Sequence, residues 1–372
     1  MRIAIVAHNA YGMISGVQSG HIGGVERQAA MLARWLADRG HDVSLITWNE
    51  GGRPVETIDR VRVIKICRVD AGLPVLRFFV PRWSSLNAAL RVADADIYYQ
   101  NGAEEVTGQV AMWCRRHDRR FVFSAASDMD CDRWITTERS LRERWLYRYG
   151  LRAADRIVVQ TGAQAEMLKA ATGLLSQVLP MPGDDFARNP GGPHRPNGEG
   201  SPLLLLVGRI APEKNIETFI ELARMLPDMR FLVVGPGDPS NAYVASIKSL
   251  SNDVPNLDFF GSADRLQLRE LYLSAMALCC TSHYEGFPNT FIEAWSLGLP
   301  VISTVDPDGV IARHNLGAHV SGLNELRDRV QELAGSREDR DVIAENARAY
   351  FQSNHRLDVA MERFERLFRE TV

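Results

Sequence analysis

Leu203-Leu204-Leu205-Leu206-Val207-Gly208-Arg209-Ile210-Ala211-Pro212-Glu213-Lys214-Asn215 is an apolar run that stops at a glycine, then a loop with two cations, then the start of a helix-like stretch. The run shows no polar alternation, which is how a strand buried on both faces of a parallel sheet reads. The pattern recurs at Arg230–Gly235, Leu257–Gly261, Ala277–Ser282 and Val301–Val305, with helices expected from Asn215, Asn241, Asp264 and Thr290 between them. Strands alternating with helices imply βαβ units and a doubly wound α/β sheet. Such sheets bind ligands beyond the carboxyl ends of their strands, so the loops after the strands are where chemistry is sought.

The first half alternates in the same way, with strands expected at Arg2–Ala7, Asp42–Trp48, Val61–Cys67, Asp96–Gln100, Arg120–Ser124 and Arg156–Gln160. Val25, Ala29, Leu32, Ala33 and Leu36 repeat at spacings of three and four in a helix that Gly40 closes. Between the halves, Pro180, Pro182, Pro190, Pro193, Pro196 and Pro202 forbid a helix or central strand. The reading is two Rossmann-like domains, residues 1–180 and 202–350, a linker at 181–201, and a terminal helix within 351–372.

The 372 residues carry a net charge of −3, with 45% hydrophobic and 24% charged residues, which excludes collagen-like, disordered and disulfide-scaffold classes. No apolar run approaches the roughly 18 residues that span a bilayer, and Met1-Arg2 leads into Ile3-Ala4-Ile5-Val6 without a cleavage site, so a cytoplasmic protein is expected. Cys67, Cys114, Cys131, Cys279 and Cys280 lack metal-site spacing and read as reduced, buried thiols. Residues 1–180 sum to +5 and residues 181–372 to −8, a split that suits an anionic partner for the first domain. Nucleic acid is not expected, since the chain is acidic overall and has no recognisable binding module.

Three loops carry candidate chemistry. Gly20-His21-Ile22-Gly23-Gly24-Val25-Glu26 opens a helix, and glycines there leave amides bare for a phosphate; a flexible turn with a glycine cap reads equally well. Arg209 and Lys214 stand where a fork and a point charge would neutralise a diphosphate. His283-Tyr284-Glu285-Gly286-Phe287-Pro288-Asn289-Thr290-Phe291-Ile292-Glu293-Ala294 puts Glu285 on a loop after a strand, with Pro288 and Asn289 or Thr290 starting a helix. Glu293 then falls in about the first turn of that helix. The two acids bracket the amides of Phe287 to Thr290: carboxylates accept from sugar hydroxyls and amides face phosphate. As a structural alternative, Glu293 is a dipole-stabilising acid and Glu285 a turn residue.

The stretch from Glu285 to Glu293 with Gly-Phe-Pro-Asn inside resembles the motif of the family 4 retaining glycosyltransferases, which have the GT-B fold of two Rossmann-like domains facing each other across a cleft. The resemblance extends to Val207-Gly208-Arg209 through Lys214-Asn215, to Val234-Gly235-Pro236-Gly237, to Phe259-Phe260-Gly261 and to Gly23-Gly24-Val25-Glu26. It implies a retaining, metal-independent transferase with no cofactor, acting on a nucleotide-sugar donor and a glycan or lipid-linked acceptor in bacterial surface polysaccharide or glycoconjugate synthesis. Arg209 and Lys214 would hold the donor diphosphate, and Glu285 the sugar hydroxyls. Glu293 would accept the ribose hydroxyls, Gly24 approach the phosphate, and Gly235 and Phe260 frame the base. The helix Leu357–Glu370 would cross back to the first domain.

One departure concerns the His-Asp pair common after the strand equivalent to Phe121–Ser124. Here Ser127 stands at the His position, followed by Asp128, and both are candidate sugar or acceptor contacts. Asp128-x-Asp130 also has the spacing by which another transferase class holds a metal, a reading the GT-B motifs disfavour. Arg139, Arg142, Arg144, Arg148 and Arg152 interleave with Trp145, Tyr147 and Tyr149. That pattern fits peripheral contact at the inner face of the plasma membrane or a grip on a lipid diphosphate. The alternative, which is preferred, is a surface helix with Trp145 and Tyr149 packed inward. Rival functions are a non-catalytic nucleotide-sugar-binding subunit and a nucleotide-sugar 2-epimerase.

Overall fold

The computed structural model describes residues 1–17, 23–74, 76–132, 140–183, 185–188 and 201–372. Gly20, His21 and Ile22 of the first glycine loop, Arg139, and Pro190, Pro193 and Pro196 of the linker lie outside the described residues. The chain divides into two units, Met1–Met181 with Ala360–Val372, and Pro182–Val359.

In the first unit β1 (Arg2–Val6), β2 (Asp42–Thr47), β3 (Val55–Ile58), β4 (Val61–Lys65), β5 (Ile97–Asn101), β6 (Arg120–Ser124), β7 (Arg156–Val159) and β8 (Gln177–Val178) form one sheet in the order β3-β4-β2-β1-β5-β6-β7-β8. Every neighbouring pair is parallel except β3 with β4. In the second unit β9 (Leu203–Val207), β10 (Arg230–Val234), β11 (Leu257–Gly261), β12 (Ala277–Cys280), β13 (Val301–Ser303) and β14 (Gly317–His319) form a wholly parallel sheet in the order β11-β10-β9-β12-β13-β14. Ile3 to Val6 and Leu203 to Leu206 are buried at consecutive positions, so helices cover both sheet faces.

The expected strands are all present, and three more appear: β3, β8 and β14. All three are edge strands. Each is short and pairs on one side only, so burial does not impose the continuous apolar pattern that marks the central strands.

The boundary expected at 351 falls inside the helix Arg337–Asn354; the terminal helix is Leu357–Thr371, and from Ala360 it belongs to the first unit. Phe364 and Phe368 pack edge-on to Tyr99 of β5 at 6.1 and 5.7 Å. Beside them Glu365 is buried, accepting from Arg369 at 2.6 Å and facing His41 Nε2 at 3.0 Å and Arg39 at 3.3 Å. Burial acts to raise the Glu365 pKa, but hydrogen bonds from Arg369 and His41 and the charge of Arg39 outweigh it and lower the value from 4.5 to about 2. The depressed folded pKa means this contact stabilises above the unfolded value and is lost as pH falls from about 4.5 toward 2. Because Arg39 and Arg369 are half exposed or more, the loss is on the order of 2 kcal/mol. Urea titrations at pH 6 and pH 3 should show Glu365→Gln losing less stability on acidification than the wild type; equal losses would remove Glu365 from the acid response.

Candidate active site

In the second unit, neighbouring strands β9 and β12 send their loops to the same edge. The β9 loop closes with the single turn Pro212–Lys214, ended by Asn215 in the left-handed region at φ 47°. Two hydrogen bonds stitch it to the β12 loop: Thr281 Oγ1 donates to the Lys214 carbonyl at 2.8 Å, and the His283 amide to the Glu213 carbonyl at 2.9 Å. Lys214 Nζ thereby meets Glu285 Oε1 in an ion pair. Ser282 Oγ donates to the same oxygen at 2.7 Å. Both partners are largely buried, so the pair is weakly screened. Arg209 pairs with Glu213 at 3.3 Å but keeps 73% of its side chain exposed, so it can swing to a ligand at this edge. Burial, and then the Glu285 charge, push the adjacent Cys280 thiol up, which keeps it unreactive.

The sequence places Glu293 in about the first turn of its helix. The helix runs Asn289–Leu297 with Pro288 at the N-cap, so Glu293 is its fifth residue and the first turn has no acid. The dipole-stabilising alternative therefore does not hold. Asn289 and Thr290 are the first helical residues, and the Pro288 position makes no side-chain cap. Pro288 also lacks an N–H, so the amides expected over Phe287 to Thr290 are those of Phe287, Asn289 and Thr290. Glu293 is buried with Arg265 Nη1 donating to Oε1 at 2.9 Å and Tyr272 OH to Oε2 at 3.0 Å. The Arg265 guanidinium lies 4.1 Å from the centre of the Phe186 ring. Phe287 is an anchor: it sits 4.9 Å from the His355 ring and 6.0 Å from Trp295, fixing the loop that carries Gly286.

Gly208 and Gly235 hold the ends of β9 and β10 together. The Gly208 amide donates to Val234 and the Gly235 amide to Gly261, so these amides are used within the sheet. Gly235 has φ 151°, and a Cβ there would come within 1.9 Å of the Gly208 carbonyl oxygen. Phe260 is partly exposed at the end of β11. In the first unit Gly23 caps the helix Gly24–Asp38. The anion at that end is the chain's own Glu26, whose Oε2 lies 2.1 Å from where a Gly23 Cβ would stand.

Ser127 and Asp128 enter a short turn after β6. Ser127 Oγ donates to Asp130 Oδ1 at 3.4 Å, the Ala126 amide to Asp130 Oδ2 at 2.7 Å, and Gln164 Nε2 to Asp128 Oδ1 at 3.0 Å. Asp130 is buried, and burial raises its pKa against its hydrogen bonds. The expectation that Trp145 and Tyr149 pack inward is corrected at Trp145. The helix Leu141–Ala153 packs backbone-to-backbone on Glu105–Arg116 through Gly108 and Gly150, which turns Leu146, Tyr147 and Leu151 inward. Trp145 faces out, stacked on half-buried Tyr149 at 5.7 Å.

Lys214, Glu285 and Arg209 are legible in the sequence, but Thr281, which holds the Lys214 loop, and Ser282, Arg265 and Tyr272, which orient the acids, are not singled out by it. Ser282 was findable, three residues before Glu285 at a strand end. Arg265 and Tyr272 come from another helix and leave no local pattern.

Two family models match. "Glycosyl transferases group 1" matches residues 194–350 and "Glycosyl transferase 4-like domain" residues 23–177. The chain belongs to the family 4 glycosyltransferases of the GT-B fold. This family 4 chain is 28% identical to the alpha-galactosylglucosyldiacylglycerol synthase of Streptococcus pneumoniae over 171 residues, 44% of the chain and 46% of that protein. It is 26% identical over 321 residues to the GDP-mannose-dependent alpha-mannosyltransferase of Mycolicibacterium smegmatis, 82% of the chain and 79% of that protein. Against several other curated relatives the match spans under half of their length. Among solved structures, sucrose-phosphate synthase of Thermosynechococcus elongatus superposes with a TM-score of 0.79 at 20% identity, covering 99% of this chain and 98% of that one.

Proposed function

We propose that this family 4 chain transfers a sugar from a nucleotide-sugar donor to a glycan or lipid-linked acceptor, with retention of anomeric configuration and without a metal. The observation that carries the reading is the Lys214–Glu285 pair with exposed Arg209, set where two parallel strands end. A donor diphosphate would draw in Arg209 and Lys214, two cations that offset the charge developing on the leaving group. Glu285, steadied by Ser282, would then accept from the sugar hydroxyls and orient the ring. As the sugar C1–O bond to the diphosphate breaks, the acceptor oxygen bonds C1 on the same face, and the departing phosphate oxygen takes the acceptor proton. Glu285 positions and does not attack.

Glu293, oriented by Arg265 and Tyr272, would take the ribose hydroxyls. Tyr272→Phe should accordingly cost about 1 kcal/mol of stability and raise the donor KM several-fold with kcat little changed. An unchanged KM would detach Glu293 from the donor. In this proposal Ser127 and Asp128 contact the sugar or acceptor, Gly24 approaches the phosphate, and Gly235 and Phe260 frame the base. Work at the cytoplasmic face of the plasma membrane in bacterial surface glycan synthesis belongs to the same proposal, with the helix within Arg139–Arg152 as membrane contact; among the described residues no helix is long and apolar enough to cross a bilayer.

A second reading, a non-catalytic binding subunit, is favoured by one observation: the Ser127 hydroxyl is turned to Asp130. Proton NMR of the product made with EDTA present tests the proposal. The donor's anomeric configuration in the product supports it; inversion, or donor binding with no product or hydrolysis, overturns it.

A further inference from the structure

The first unit presents an apolar surface that sugar transfer leaves unused. Between β4 and the helix Ser84–Ala93, the residues Val69, Leu73, Leu76, Phe79 and Val80 are 57 to 70% exposed. Single exposed apolar residues are ordinary; five within one short segment mark a contact surface. The segment is ordered by its own turns. The Leu76 amide donates to Leu73 at 3.0 Å, Phe79 to Leu76 at 2.9 Å, and Arg82 to Arg77 at 3.1 Å. Leu73, Leu76 and Phe79 thus recur every third residue through successive turns. Phe78 turns the other way, buried against Trp83 at 5.4 Å.

Arg142 joins this segment to the helix Leu141–Ala153, its guanidinium 3.8 Å from the centre of the Phe78 ring. At that end Leu141 is 81% and Trp145 58% exposed. Further along, Trp145, Arg148, Arg152 and Arg115 line an open groove of about 670 Å³. Of the nearby acids, Asp70 pairs with Arg68, Glu105 with Arg142 and Glu143 with the Ser140 cap, while Asp130 and Asp132 line the groove beside the arginines, Asp130 held by the Ala126 amide. Arg77, Arg148 and Arg152 remain exposed. The face therefore combines apolar tips with a surplus of arginines, in a chain whose overall charge is −3. A protein partner of matching chemistry would need an apolar patch ringed by acids. An anionic bilayer supplies both at once, acyl chains below and phosphates above.

We propose that residues 69–74 and 76–80 and the helix Leu141–Ala153 form one peripheral docking face for an anionic phospholipid surface. Leu73, Leu76, Phe79 and Val80 enter the interface, and Arg77, Arg148 and Arg152 meet lipid phosphates. This rests on the membrane contact proposed above and adds the segment that enters the bilayer.

The test is co-sedimentation of the full chain with phosphatidylcholine vesicles, with and without about 30% phosphatidylglycerol, at low and high salt. The wild type should bind only the anionic vesicles, salt-sensitively. The exposed-site variants Leu76→Asp/Phe79→Asp and Leu76→Ser/Phe79→Ser should each bind about tenfold more weakly or worse. Nucleotide release from a soluble donor, read in parallel, should stay within about twofold in both variants, since neither side chain is in the proposed site. Binding of both variants equal to wild type, or no wild-type binding, overturns the docking face. A wild-type dimer that these variants turn into a monomer also overturns it, by making the patch a contact between copies. Vesicle results as expected with no nucleotide release in any protein leave the docking face standing and remove the transferase reading.

Discussion

Lys214→Ala is expected to lower kcat/KM for nucleotide release by about a thousandfold, the usual loss when a preorganised donor to a leaving group is removed. Lys214 faces Glu285, whose carboxylate is 16% exposed and also accepts from Ser282. Removing the ammonium leaves that carboxylate unpaired, so the variant should also lose about 1–3 kcal/mol of stability. The two effects separate in Lys214→Ala/Glu285→Gln: neutralising the acid restores the melting temperature but not the activity. Steady-state release of nucleotide and thermal melts of the three proteins read this directly. Recovery of activity in the double variant would reduce Lys214 to a structural partner of Glu285.

Gly235→Ala should be among the most damaging single-methyl changes in the second unit, beside the like clash at Gly317. The added Cβ would stand 1.9 Å from the Gly208 carbonyl oxygen at a φ of 151°. The backbone can yield only by breaking the ladder at Gly208 to Val234 or Gly235 to Gly261. A cost of about 3–5 kcal/mol is expected, which for a unit of this size lowers Tm by about 10 °C. Because the added methyl would press on Gly208 and the Arg209 amide at the end of β9, from which Lys214 also follows, donor binding should weaken as well. An unchanged Tm would mean that the ends of β9 and β10 can splay freely.

The central strands were legible because burial on both faces leaves consecutive apolar residues, as in Ile3 to Val6 and Leu203 to Leu206. Three of the four edge strands were not: β3 alternates exposed and half-buried residues, β8 is two residues long, and β14 reads Gly-Ala-His. At the site, residues on strand-end loops could be found because topology dictates where they gather. Their supports could not. Arg265 and Tyr272 reach Glu293 from a helix more than twenty residues earlier. The outward Trp145 was misread for a related reason. Helical periodicity alone allows several faces, and the Gly108–Gly150 contact, which only the fold reveals, selects one.

The central claim is that the β9 and β12 loops hold a nucleotide-sugar and release its sugar with no metal. It is tested most directly by a panel of nucleotide sugars, each assayed by thermal shift and by nucleotide release in EDTA. One donor should both stabilise the protein and be turned over. Stabilisation and turnover that appear only after Mn²⁺ is restored would contradict it and return attention to Asp128 and Asp130.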